Sequence, residues 1–175
     1  MKKNKIILFL ICLVSLYFTT FKFNGVKASE DSLTSGAKAA ILIELYTGDI
    51  LHEKNIHDRL SPASMTKIMS THLVIDALEK GQIKMTDIVT ISEHAASYGG
   101  SQVWLEPGEQ MSVEDLFKCM VIASANDATV ALAELVAGSE ELFVERMNER
   151  VKELGLKNTH FKDPTGLTDF KDDHY

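Results

Sequence analysis

The sequence predicts an α/β chain in which a β-hairpin precedes a run of helices. Three observations carry this. Ala39 to Leu45 is a strongly apolar, β-type run, and Tyr46-Thr47-Gly48-Asp49 after it supplies turn chemistry. Beyond Pro62, apolar residues recur at helical spacing. From there to Gly155, capping serines and terminating glycines punctuate the chain as helix starts and stops.

The first segment is predicted to lie outside the fold. Lys2, Lys3 and Lys5 make a basic start, and Ile6 to Phe18 is an almost unbroken apolar run, too short to cross a bilayer comfortably. Val26-Lys27-Ala28 places small residues at −3 and −1 of a cleavage site before Ser29. Residues 1–28 therefore read as a secretory signal peptide and 29–175 as the exported part. Bulky Ile11 before Cys12 argues against a lipoprotein signal.

Ser29 to Ala37 is small and polar, and reads as a flexible lead-in. Ala39–Leu45 and Ile50-Leu51-His52 are the arms of the hairpin. Ser61-Pro62 suggests an N-cap with proline in the first helical position, opening a helix that runs to about Lys80 and stops at Gly81. Met65, Ile68, Met69, Leu73 and Ala77 are spaced to face its core. Asp87 to Ile91 fits a short strand. Gly99-Gly100 and Pro107-Gly108 mark loops around Gln102-Val103-Trp104-Leu105, with Trp104 expected as a packing anchor. Ser112 with Asp115 resembles a capping box for a helix ending near Ser124. Asp127–Ala137 is the next helix, closed by Gly138. The last runs from Ser139, with acids in its first turn and Arg150 and Lys152 late, to Gly155. Thr159 to Tyr175 is irregular.

The formal charge is −7, and removal of a signal with five lysines and no acid takes it to −12. So acidic a chain is poorly suited to nucleic acid or an anionic membrane surface. Only Cys119 would survive cleavage, which excludes an internal disulfide. Its apolar helical setting fits a buried structural thiol. The six histidines show no metal-ligand spacing; His52 and His57 are one residue too far apart for the helical zinc motif and lie on a hairpin arm and its exit.

Two short motifs carry chemistry. Ser64-Met65-Thr66-Lys67 puts a hydroxyl and an amine a turn apart on one helical face. A desolvated amine there can activate the serine as a nucleophile without a histidine. Ser124-Ala125-Asn126, at a helix junction, offers a second serine to relay the proton and an asparagine to hold an amide. Ser35-Gly36-Ala37-Lys38 has the same serine–lysine spacing, but it lies in the lead-in with a glycine inside it, and reads as linker.

With these residues the chain resembles the serine-type D-alanyl-D-alanine carboxypeptidases, low-molecular-mass penicillin-binding proteins among the penicillin-recognising serine enzymes. The likeness runs from about Ala39 to Leu167. It includes Thr47-Gly48, Pro62-Ala63 before the first motif, Gly100-Ser101, Pro107-Gly108-Glu109, Asp127-Ala128 after the second, Asn158-Thr159-His160-Phe161 and Pro164-Thr165-Gly166-Leu167.

The resemblance implies a β-lactamase/transpeptidase-like fold, an antiparallel sheet plus a helical subdomain. Ser64 would be the acylated nucleophile, Lys67 its proton acceptor, Ser124 the relay toward the leaving D-alanine and Asn126 a binder of Lys67 and the substrate amide. The implied partners are D-Ala-D-Ala stem peptides of peptidoglycan and, as covalent inhibitors, β-lactams. No cofactor, metal or nucleic acid is implied, and the location is extracytoplasmic. The family's Lys-Thr-Gly motif, on a later sheet strand, and its amphipathic membrane anchor do not occur in these residues. A C-terminally truncated chain with an incomplete sheet is the expectation. The competing readings are an inactive or wall-peptide-binding remnant and a class A β-lactamase. The latter is disfavoured by Ala125 and by the absence of a Glu-x-x-Leu-Asn segment.

Overall fold

A computed structural model describes residues 33–167 and 174–175; the expected signal peptide, residues 1–28, lies outside them. The chain divides between Asp58 and Arg59 into two compact units.

The first unit is the hairpin. Strands β1 (Ala40–Ile43) and β2 (Ile50–Lys54) pair antiparallel, Ala40 opposite Lys54 and Leu42 opposite His52, with a register irregularity between Leu42 and Ile43. Glu44 organises the turn: its carboxylate accepts the N–H groups of Tyr46 and Thr47, and Gly48 takes the left-handed conformation (φ 76°). Ile41, Leu42, Ile43 and Ile50 are each about half exposed, so the apolar run shows on both faces. The lead-in is pinned at Thr34, whose hydroxyl bonds His52 at 3.0 Å and whose carbonyl accepts from Lys54 at 3.0 Å. Residues 29–32 of the predicted flexible entry lie outside the described residues.

The second unit is built around one buried helix. Its elements are α1 (Lys67–Glu79), β3 (Ile88–Thr90), α2 (Glu93–Ala96), β4 (Gln110–Ser112), α3 (Val113–Ala123), α4 (Asn126–Ala137) and α5 (Glu140–Glu153). The predicted strand at 87–91 pairs with β4, a partner that the sequence pattern does not reveal. Ser92, Ser112 and Ser139 cap α2, α3 and α5 through their hydroxyls, each accepting the N–H three residues on. Helix α4 is buried nearly all round. Val130 and Leu132 join Val74, Ile91, Leu116 and Met120 in one cluster, while Ala133 and Ala137 join Leu73, Phe143, Met147 and Phe161 in another. Its alanines let α1, α3 and α5 approach closely, and each fully buried Leu, Met or Phe around them contributes about 1.5–3 kcal/mol. An Arg150–Asp76 ion pair joins α5 to α1. The amide of Asn148 both accepts from the Phe161 N–H (3.0 Å) and donates to its carbonyl (2.8 Å), clasping the C-terminal segment to α5.

Three expectations are corrected. Ser61 does not cap α1. Pro62 stands at the cap position without a side-chain bond, Ala63 is left-handed (φ 47°), and Ala63–Thr66 forms a 3₁₀ turn before α1 begins at Lys67. The backbone of Gly166 packs directly against this turn, so close that a Cβ on it would overlap the Ala63 carbonyl oxygen. Met65 and Ile68 are not core residues but 65% and 72% exposed: Met65 belongs to the 3₁₀ turn, and Ile68 lies on the side of α1 that opens to a cavity with Ser64 and Lys67. Trp104 is no packing anchor either: it is 77% exposed and left-handed at φ 63°. The fully buried Asp127 carboxylate accepts the N–H groups of Val103 and Leu105, one on each side of it. That clamp holds the backbone of the loop and leaves the indole outside.

Candidate active site

The 3₁₀ turn sets Ser64 at the surface and Lys67 beneath it. Ser64 is exposed, whereas Lys67 keeps only 5% of its surface and its amine lies 3.4 Å from the Ser64 hydroxyl. The same amine donates to the Thr165 carbonyl at 3.0 Å. Burial pushes the amine below the ordinary lysine range, and the Asp163 carboxylate pulls part of the way back. An exposed hydroxyl thus sits over an amine hidden from water.

Ser124 completes the third wall. It ends α3 in the left-handed conformation (φ 56°, ψ 32°), an arrangement costing about 1 kcal/mol for a residue with a Cβ. With Ser64, Lys67, Ile68, Thr71, Met120 and Val121 it lines a cavity of about 300 Å³. Three of the four residues singled out in the sequence therefore share one cavity. The Lys67 amine donates its hydrogen bonds to Ser64 and Thr165 rather than to Ser124.

Asn126 is placed differently from the expectation. Its side-chain N–H donates to the Gly99 carbonyl at 2.8 Å and its backbone N–H to the Ser101 carbonyl at 2.7 Å, so its bonds go to the 99–105 loop and none to Lys67. Its side-chain oxygen is buried and, among the described residues, has no hydrogen-bond partner. Such an atom costs free energy until something donates to it.

The sequence reading missed a fourth side of the site, the segment 163–166, which it took for a loop. Ser70, buried one turn beyond Lys67, donates to the Pro164 carbonyl at 2.6 Å. Asp163 accepts from the Thr165 N–H, the Thr165 hydroxyl and the Gly166 N–H, all through one carboxylate oxygen at 2.6–2.7 Å. Thr66 is hydrogen-bonded at 2.7 Å to Nε2 of His174, which is fully buried. Nδ1 of His174 accepts from the Lys162 N–H, so Nε2 carries the proton, in keeping with a ring that burial holds below its ordinary pKa. An Asp two residues before a Thr-Gly was the available signal for this turn.

Other features do not compete. A cavity of about 480 Å³ around Tyr98 and Glu140 and one of about 210 Å³ beside Asp76 and Arg150 contain none of Ser64, Lys67 and Ser124. Cys119 is half-buried and burial raises its thiol pKa, which suits a structural thiol. Among the described residues no group of His, Cys, Asp and Glu could hold a metal ion, and no helix is long and apolar enough to cross a membrane.

The D-alanyl-D-alanine carboxypeptidase family, peptidase S11, matches residues 25–174. The chain belongs to that family. D-alanyl-D-alanine carboxypeptidase DacF of Bacillus subtilis is 58% identical over 154 residues, which are 88% of this chain and 39% of that protein. DacC of Escherichia coli is 46% identical over 137 residues, 75% of this chain and 34% of that protein. Among solved structures, penicillin binding protein 5 of Haemophilus influenzae superposes with a TM-score of 0.72 at 43% identity, over 75% of this chain and 39% of that one. DacD of Francisella tularensis gives 0.73 at 41% identity, over 76% and 32%. The chain thus spans less than two-fifths of the length of each of these relatives. The D-alanyl-D-alanine carboxypeptidase fold is nonetheless clear in the helical part, as the resemblance implies.

Proposed function

We propose that this chain carries the acylation centre of a serine-type D-Ala-D-Ala carboxypeptidase. The observation that carries the reading is the buried Lys67 amine 3.4 Å from the exposed Ser64 hydroxyl, in a cavity that Ser124 also lines. Ser64 Oγ attacks the carbonyl of the penultimate D-alanine while its proton passes to Lys67. The bond to the terminal D-alanine breaks, and the departing amine takes a proton by way of Ser124. Water then hydrolyses the ester on Ser64. On the family resemblance, the backbone N–H of Ser64 would be one oxyanion donor, a contribution of about 3 kcal/mol in acyl transfer. The resemblance implies that Asn126 meets the substrate amide, although its side chain does not line the cavity of Ser64, Lys67 and Ser124. A strained four-membered β-lactam offers the same carbonyl to the same serine.

The natural substrate on this reading is the D-Ala-D-Ala end of peptidoglycan stem peptides, on the outer side of the cytoplasmic membrane, where the N-terminal signal would deliver the protein. The test is release of D-alanine from a D-Ala-D-Ala-terminated peptide by the protein expressed from its complete reading frame. Activity lost in Ser64→Ala supports the assignment; release unaffected by that change removes it.

A further inference from the structure

Lys67 must be held against Ser64 by something outside its own helix, because a lysine side chain has four flexible bonds and nothing on α1 bonds its amine. The Thr165 carbonyl is that hold, at 3.0 Å, and the carbonyl is fixed by the turn containing it. One atom organises the turn. Oδ1 of Asp163, in a residue 6% exposed, receives the Thr165 N–H, the Thr165 hydroxyl and the Gly166 N–H. The same turn seats Gly166, in the left-handed region (φ 80°), directly on the Ala63 carbonyl, the residue before the nucleophile. Ser70 ties the Pro164 carbonyl down to α1 from the other side.

We propose that Asp163 is a positioning residue of the acylation centre, folding 163–166 into a turn that holds both the base and the nucleophile's own turn in place. The inference rests on the acyl-enzyme reading above and deepens it. Asp163 acts through Thr165 and Gly166 and does not itself touch the cavity. It has a second effect through charge, since its carboxylate favours the protonated amine and opposes the desolvation of Lys67. The titratable groups around it come from three parts of the chain: Lys67 on α1, Tyr98 after α2, and His160, Lys162 and His174 in the C-terminal segment. His174 Nδ1 lies 3.6 Å from Asp163 Oδ2 and is neutral in the tautomer described; of the charged groups around Asp163, Lys67 is the one whose amine lies against the Ser64 hydroxyl.

The experiment measures the rate of Ser64 acylation by a fluorescent penicillin against pH, in protein from the complete reading frame, for wild type, Asp163→Asn and Asp163→Ala. Asparagine keeps Oδ1 as acceptor for the three donors but carries no charge. Its acylation rate at the plateau should stay within a few-fold of wild type. The acid limb of its profile should move to lower pH, because Lys67 loses the anion that retains its proton. Alanine removes the acceptor, and acylation should fall roughly 10- to 100-fold as Lys67 and Ser64 lose their common support. A thermal melt of each variant separates misfolding from misplacement. An Asp163→Asn profile superimposable on wild type, or an Asp163→Ala variant acylating at the wild-type rate, overturns the proposal. A wild-type protein in which Ser64 is not labelled removes the acyl-enzyme reading, and this proposal with it.

Discussion

Adding one methyl group at Gly166 should damage fold and chemistry together. The residue is at φ 80°, where alanine pays about 1–2 kcal/mol. Its Cβ would lie 1.9 Å from the Ala63 oxygen, 2.4 Å from the Ala63 carbonyl carbon and 2.7 Å from the Thr66 hydroxyl. Two of these are backbone atoms and cannot swing aside, so either turn 163–166 or turn 63–66 must shift, at a further cost of about 1–3 kcal/mol. A loss of roughly 2–5 kcal/mol corresponds to a fall in Tm on the order of 10 °C in a domain of this size. The parts that move hold Thr165 against Lys67 and support Ser64, so penicillin acylation should drop by roughly a hundredfold. Gly155→Ala is the matched control. Gly155 is also left-handed (φ 69°), but nothing lies within 4 Å of its added Cβ, so it suffers the strain without the clash. Differential scanning fluorimetry and stopped-flow acylation on both variants are the assays. Gly166→Ala melting and acylating like Gly155→Ala would show that the contact with Ala63 does not position the nucleophile.

Further expectations concern base, loop and export. Acylation should rise with pH as Lys67 loses its proton, with a midpoint below the 10.5 of an unperturbed lysine, because burial depresses the amine; a midpoint at or above that value contradicts the assignment. Lys67→Arg should acylate too slowly to measure, since a guanidinium stays protonated and cannot accept the hydroxyl proton. Asp127→Ala strands the N–H groups of Val103 and Leu105, each worth about 1–3 kcal/mol when buried without a partner, and chemical denaturation should register a loss of at least that size. Edman sequencing of exported protein should begin at Ser29; material retaining Met1–Ala28 speaks against signal cleavage.

Local signals were legible in the sequence because they act over three or four residues. The capping serines at 112 and 139, the left-handed glycines at 138 and 155, and the Ser64–Lys67 spacing each depend on one helical turn, and all appear where the pattern puts them. The failures share a different origin. Met65 and Ile68 have helical spacing with Met69 and Leu73, yet Met65 lies in a 3₁₀ turn packed against Gly166, about a hundred residues away in the chain, and Ile68 lies on the side of α1 that lines the cavity. Trp104 looked like an anchor because large aromatics usually bury. A carboxylate 23 residues further on fixes its backbone instead. Pro164-Thr165-Gly166 reads as an ordinary loop until Asp163 and Lys67 are seen on either side of it. Asn126 was expected beside Lys67, but its side-chain N–H bonds the 99–105 loop, a preference no local pattern encodes.

The central claim is that Ser64 is the nucleophile and Lys67 its base, and covalent labelling tests it most directly. Protein from the complete reading frame is incubated with benzylpenicillin, digested, and mapped by mass spectrometry. The expected result is a single penicilloyl adduct on Ser64, absent from Ser64→Ala and unchanged in Ser35→Ala, whose serine has the same spacing to Lys38 but no helix to hold the pair. An adduct on Ser35, Ser70 or Ser124, or labelling that survives Ser64→Ala, would contradict it.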